Sequence, residues 1–149
     1  MAQAMDAKLK EVLQTAPFFC DEQDYILVHL PQNAVTAAAA VLAEIRDPFG
    51  ALIIDKDEVT LVLQRADLDD YTRRLPDHRV SSHAYRLITI DLPLDPSLIG
   101  LFAAISQQLA AARIPILALS AFSRDHILVP AAQIDAALEA LNSLRSSAH

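Results

Sequence analysis

Apolar and polar positions along this chain follow two periods, one helical and one of strands. Met5, Leu9, Val12 and Leu13 recur at helical spacing among charged residues, which predicts a short amphipathic helix over 5–15, ended by Pro17. Tyr25-Ile26-Leu27-Val28-His29-Leu30 reads as a strand closed by Pro31. Asn33 stands as the N-cap of an alanine-rich helix over 34–45, and Asp47-Pro48 terminates it. Leu52-Ile53-Ile54 and Val59-Thr60-Leu61-Val62-Leu63 flank a polar turn at 55–58, the pattern of a hairpin. A helix is predicted from about Ala66 to Leu75.

The polar stretch from Pro76 to His83 reads as a linker, with Arg79-Val80-Ser81 as a candidate edge strand. Tyr85–Ile90 alternates as a strand. Asp95-Pro96 then predicts a sharp helix start, Asp as N-cap and Pro at the first helical position. That helix is expected to run to Ala112 with Leu98, Leu101, Phe102, Ile105 and Leu109 on one face. Ile114–Phe122 and Asp125–Val129 form a second hairpin around Ser123-Arg124. Pro130 opens the last helix, whose stripe is Ile134, Leu138, Leu141 and Leu144.

The two halves are loose copies of each other. Leu61-Val62-Leu63 recurs 66 positions later as Ile127-Leu128-Val129, and Ala66, Leu68, Asp69 and Leu75 meet Ala132, Ile134, Asp135 and Leu141. Both halves read βαββα, one strand short of the βαββαβ unit. The spare extended segments are Pro17–Cys20 and His78–Ser82. If the first of these completes the second sheet, the first domain is inserted within the second. The organisation expected is an N-terminal helix over 1–16, a first domain over 17–76, a linker or edge strand over 77–83 and a second domain over 84–145.

Composition narrows the function. The chain has 149 residues, which suits one domain or two compact ones. Apolar residues make up 53% and aromatics only 5%, so Leu, Ile, Val and Ala must build the core. A formal charge of −7 argues against a nucleic-acid partner, which needs a basic face. The Arg73-Arg74 pair reads as a solvated helix face. Two glycines, Gly50 and Gly100, exclude glycine-rich phosphate loops and the dinucleotide fingerprint. No cofactor is expected. The single Cys20 rules out an internal disulfide, fits a reducing compartment and reads as a buried strand residue. No apolar run reaches the roughly 20 residues of a membrane span, and Asp6, Lys8, Lys10 and Glu11 stand where a signal peptide would be apolar. The expectation is a cytoplasmic protein without a membrane segment. His29, His78, His83, His126 and His149 show no metal-ligand spacing with Cys20 or one another.

The second half carries a recognisable set of residues. Tyr85–Ile90, Pro93-Leu94-Asp95, Gly100 and the stretch Leu119-Ser120-Ala121-Phe122-Ser123-Arg124-Asp125-His126-Ile127-Leu128-Val129 resemble the ACT-domain family. The chain is similar to small bacterial proteins with two tandem ACT-like domains, to aspartate-kinase regulatory regions and to cytosolic arginine sensors. The likeness is tight over 84–142 and looser over 24–75, where Pro31-Gln32-Asn33 replaces a longer loop and no counterpart of Gly100 exists. The resemblance implies an α+β fold of tandem ferredoxin-like (βαββαβ) ACT units, antiparallel sheets with helices on one face. It also implies a small ligand, usually an amino acid, at an ACT–ACT interface, in a non-enzymatic homodimer.

The site that follows lies between Leu92–Gly100 and Ser120–Ser123. Its candidate residues are Asp95, Pro96, Leu98, Ile99 and Gly100 on the loop. Ser120, Ala121, Phe122, Ser123 and Asp125 face them. A ligand carboxylate would dock on helix N–H groups after Asp95, unless Asp95 only caps its own helix. Gly100 inside a helix costs about 1 kcal/mol relative to Ala, which close approach of a strand or a ligand would offset. Asp125 is either an amine partner or a turn residue satisfying its own backbone, and the ligand side chain would rest on Ile99 and Phe122. A hydrolase triad from Ser120 or Ser123 with Asp125 and His126 conflicts with strand geometry, since adjacent residues point to opposite faces. The alternative function is a protein–protein interaction module with a degenerate ligand site, and a small enzyme using Asp125 and His126 is a third.

Overall fold

The computed structural model describes residues 6–148; Met5 and His149, which figure in the sequence reading, lie outside them. The chain divides into two units, one made of everything up to Glu22 together with everything from Arg86 on, the other of Gln23–Tyr85.

In the first unit, α1 (Ala7–Thr15) is followed by the opening residues of a long strand, β1 (Phe18–Leu30). After the second unit come β5 (Tyr85–Ile90), α4 (Leu101–Ala111), β6 (Leu117–Ser120), β7 (Asp125–Pro130) and α5 (Ile134–Ser147). The strand order is β6-β7-β5-β1, with β6 and β7 antiparallel from Leu117↔Leu128 to Ser120↔Asp125. Asp91 N–H donates to Pro17 O at 2.9 Å where β1 meets β5. Helix-facing side chains of the strands, Ile88 and Ile90 with Ile127 and Val129, are buried against Leu101, Ile105 and Leu109 of α4 and Ala137 and Leu141 of α5. Leu9 and Leu13 bring α1 into the same core.

The second unit takes β1 from Gln23 onward, then α2 (Val35–Ile45), β2 (Ala51–Ile54), β3 (Val59–Gln64), the single turn α3 (Leu68–Tyr71) and β4 (Arg79–Val80). Its order is β2-β3-β1-β4, antiparallel at each pairing. Alternation fixes the faces: Ile26, Val28 and Leu30 with Val59, Leu61 and Leu63 point to Ala34, Ala38 and Val41. Both units are thus ferredoxin-like, antiparallel sheets with helices on one face, and each has its own core. Where β1 passes from one unit to the other, Glu22 has a left-handed φ of 62°, an unusual state for a residue with a Cβ.

Local signals were displaced in several places. Asn33 caps nothing: Gln32–Ala34 forms a 3-10 turn set by Pro31, and Ala34 precedes α2 without a side-chain cap. The helix expected over 66–75 is broken into a 3-10 turn, α3 and a second 3-10 turn at Thr72–Arg74. Pro130 ends β7 instead of opening a helix, and a 3-10 turn at Ala131–Gln133 leads into α5. The strand expected from Ile114 begins only at Leu117. Cys20 is half-buried rather than buried.

One feature of the second unit makes a pH prediction. Asp47, after α2, and Asp67, before α3, each hold a buried Oδ2, and the two carboxyls are neighbours that share a hydrogen bond when one is protonated. Burial, the Asp67 hydrogen bond and the Asp67 charge push Asp47 up to about 6. A raised folded-state value means the stabilising proton is fully held below about 4 and lost as pH rises through about 6. Asp67→Asn is therefore expected to stabilise the protein at pH 7 by about 1 kcal/mol, the full shift being discounted for partial exposure. Urea unfolding at pH 4.5 and 7 checks it. An unchanged difference between the two pH values in the variant would contradict the pairing.

Candidate functional site

A cleft of about 290 Å³ opens in the first unit between the segment Leu94–Leu101 and the tip of the β6–β7 hairpin. Leu94 N–H donates to Ser123 O at 2.7 Å and latches the two walls together. Asp95, Pro96, Leu98, Ser120, Ala121, Phe122, Ser123 and Asp125 all line it. Leu94, Leu101 and Arg124 line it as well, none of which the sequence singled out. Gly100 and Ile99 do not.

The expected helix start at Asp95-Pro96 is wrong in the structure. Residues 95–98 form a turn, in which Leu98 N–H donates to Asp95 O at 2.9 Å, and α4 begins only at Leu101. Asp95 closes that turn: Ser97 N–H and Ser97 Oγ–H donate to Oδ1 at 2.8 and 2.7 Å. Lys8 of α1 donates to Oδ2 at 2.5 Å. The Lys8 ammonium, then the Ser97 hydroxyl and N–H, hold the Asp95 carboxyl well below the usual range. Its charge is therefore committed to the loop.

Gly100 is not inside a helix. It precedes α4 with φ 94°, a left-handed conformation that glycine adopts at no steric cost. A Cβ there would sit 3.2 Å from Leu9 Cδ2. Having no side chain, Gly100 leaves the start of α4 without a side-chain cap. The first helical bond is Ala104 N–H to Gly100 O, so the N–H groups of Leu101, Phe102 and Ala103 have no intrahelical acceptor. Leu101 lies in the cleft wall.

On the opposite wall only Ser120 belongs to β6; Ala121–Arg124 form the turn, closed by Ala121 N–H to Arg124 O at 2.9 Å. The strand once expected through Phe122 stops short because the chain reverses there. Ser120 Oγ–H donates to Asp125 Oδ1 at 2.8 Å. Arg124 Nε–H donates to Asp91 Oδ1 at 3.0 Å. His126 turns to the other sheet face, its Nδ1 2.9 Å from Thr89 Oγ. Burial holds that imidazole below its ordinary value, Asp125 opposing and Arg124 adding to the effect. Ser120 and Asp125 thus pair with each other, while the His126 Nδ1 meets Thr89. Phe122 is 98% and Ile99 79% exposed, both apolar and both beside the cleft. Among the described residues no three His, Cys, Asp or Glu side chains gather as a metal site, and no helix is long and apolar enough to cross a membrane.

The ACT domain family model matches residues 80–143, which include both walls of the cleft. No curated protein matches the chain. Among solved structures, a Vibrio cholerae protein of unknown function, described as a possible transport protein, shares 23% identity over 92% of this chain and 95% of its own, at a TM-score of 0.71. An Agrobacterium tumefaciens protein gives 22%, 83% and 84%, at 0.61. The regulatory subunit of aspartate kinase from Thermus flavus gives 13%, 87% and 97%, at 0.68. Residues 80–143 thus resemble an ACT domain, and the chain has the fold of the aspartate-kinase regulatory subunits.

Proposed function

We propose that this chain is a non-catalytic regulatory protein, built of two ACT units, that binds an amino acid or a similar small metabolite. The observation that supports it is the first-unit cleft, whose lining includes Leu101, at the uncapped start of α4, and the Asp125 carboxylate. The N–H groups and the positive end of the α4 dipole suit a ligand carboxylate. Because Asp95 is turned to Lys8 and Ser97, it does not compete for them. Asp125, with one oxygen engaged by Ser120, suits the ligand ammonium. Leu94, Leu98 and Leu101 offer apolar surface. The regulatory role follows the ACT match and the aspartate-kinase regulatory subunits that share the fold.

The exposed Ile99 and Phe122 at the cleft mouth support a homodimer in which a second copy covers the ligand, a cytoplasmic sensor signalling through that interface. The same exposure of Phe122 favours a second reading, an interaction module whose pocket no longer binds anything. A thermal-shift screen with free amino acids separates them. A ligand at 100 times its Kd stabilises by about 2.7 kcal/mol, about 5–10 °C for a chain of this size, and Asp125→Ala should remove most of that shift. No shift with any amino acid, together with a stable protein partner in a pull-down, supports the second reading.

A further inference from the structure

One turn of α1 backs the loop wall of the first-unit cleft at both of the loop's ends. Lys8 Nζ donates to Asp95 Oδ2 at 2.5 Å where the loop starts. Leu9, only 7% exposed, lies where the loop finishes, since a Cβ on Gly100 would stand 3.2 Å from its Cδ2. Between these contacts the loop gives Asp95, Pro96 and Leu98 to the cleft wall. Asp95 also closes the turn through Ser97, so the carboxylate that Lys8 grips is the one that shapes the wall.

The two ends of α1 are held unequally. At its C-terminal end Leu13 and Ala16 are buried in the first core, and Gln14 Nε2–H donates to Ala148 O at 2.7 Å. There the Arg145 guanidinium also donates to Ala16 O and lies over the Phe18 ring at 4.9 Å. At its N-terminal end the tether to the loop is the Lys8–Asp95 pair, both side chains about half exposed. An exposed pair of this kind is weak and weakens further with salt. The helix is therefore fixed at its base and releasable at its tip, and it lies outside residues 80–143 that carry the ACT match.

We propose that α1 is a releasable clasp on the cleft: Lys8 is a positioning residue for the loop wall, and α1 docking and cleft occupancy favour each other. With α1 docked, Lys8 offsets the Asp95 charge and turns it from the end of the cleft that suits a carboxylate. With α1 released, Asp95 stands uncompensated in the cleft lining. Given the reading of the cleft as an amino-acid site, docking thus raises affinity, and by linkage the bound ligand holds α1 down by the same factor. Occupancy is then read at the protein surface on the first turn of α1.

Residue-resolved hydrogen exchange on the full 15N-labelled chain tests this, first without ligand. Lys8→Met keeps the aliphatic stem and removes the charge, whereas Lys8→Arg keeps both. In Lys8→Met the Ser97, Leu98 and Lys10–Val12 amides should exchange about two- to fivefold faster, all by one factor, while Lys8→Arg matches the parent. NaCl at about 0.5 M should speed the same amides in the parent and leave those of Lys8→Met unmoved. Unchanged Ser97 and Leu98 exchange in Lys8→Met, or equal acceleration in Lys8→Arg, overturns the clasp. Each free L-amino acid is then titrated into parent and variant. One that shifts amides 101–103 and 120–125 should slow the Lys10–Val12 amides of the parent and bind Lys8→Met about two- to fivefold more weakly. Equal affinity for the two proteins overturns the coupling. If none shifts those amides, the amino-acid reading falls and the coupling falls with it, while the ligand-free exchange still decides whether Lys8 positions the loop.

Discussion

Replacing Ile105 by alanine is expected to destabilise the first unit by about 2–5 kcal/mol. Ile105 is fully buried at the middle of α4, one turn from Leu101 and one from Leu109, and these three side chains seat the helix on Ile88, Ile90, Ile127 and Val129. Removing three carbons there loses their transfer free energy and leaves a cavity that a sheet on one side and α5 on the other cannot close. The consequence reaches the cleft, because the same helix presents Leu101 and its free N–H groups. Hydrogen exchange is the measurement: protection of the α4, β5 and β7 amides should fall by at least about 30-fold. A loss below about 1 kcal/mol would mean that α4 is not seated as described.

The second large effect is expected at Gly100. Alanine there must hold φ near 94°, and its Cβ meets Leu9 Cδ2 at 3.2 Å. The left-handed state costs a side chain about 1–2 kcal/mol, and Leu9 must give way by a few tenths of an ångström on α1. The alternative for the chain is to rotate away, which swings the first turn of α4 off the cleft. Either route lowers the unfolding midpoint, and the second also diminishes ligand stabilisation. Denaturant unfolding with and without ligand reads both. A Gly100→Ala protein as stable as its parent would show that the residue does not need its left-handed conformation.

Much of the fold is legible in the sequence because the strands alternate. The hairpin around 55–58, the strand at 85–90 and the stripe of α5 each follow from residue type and spacing, and Leu61, Ile88 and Leu141 are buried where the pattern puts them. Helix starts were less legible. Asp95-Pro96 has the chemistry of an N-cap, yet the same Asp side chain serves a turn just as well, and nothing local decides between them. The deciding contact is Lys8, 87 residues away. Gly100 held the better signal, since a lone glycine before an apolar stripe marks a left-handed residue as readily as a helix interior. Most of the proposed site residues line one cleft because loop and hairpin were both named; Arg124 was passed over as a turn residue, and Leu94 gave no sign of the backbone latch to Ser123.

The central claim is that the first-unit cleft holds an amino acid by its two charged ends. A crystal structure of the chain grown with the amino acid giving the largest thermal shift tests it most directly. Density is expected in the cleft, with the carboxylate on the N–H groups at the start of α4 and the ammonium on Asp125. A cleft filled only by water at saturating ligand, or an amino acid bound there in the reverse orientation, would contradict it.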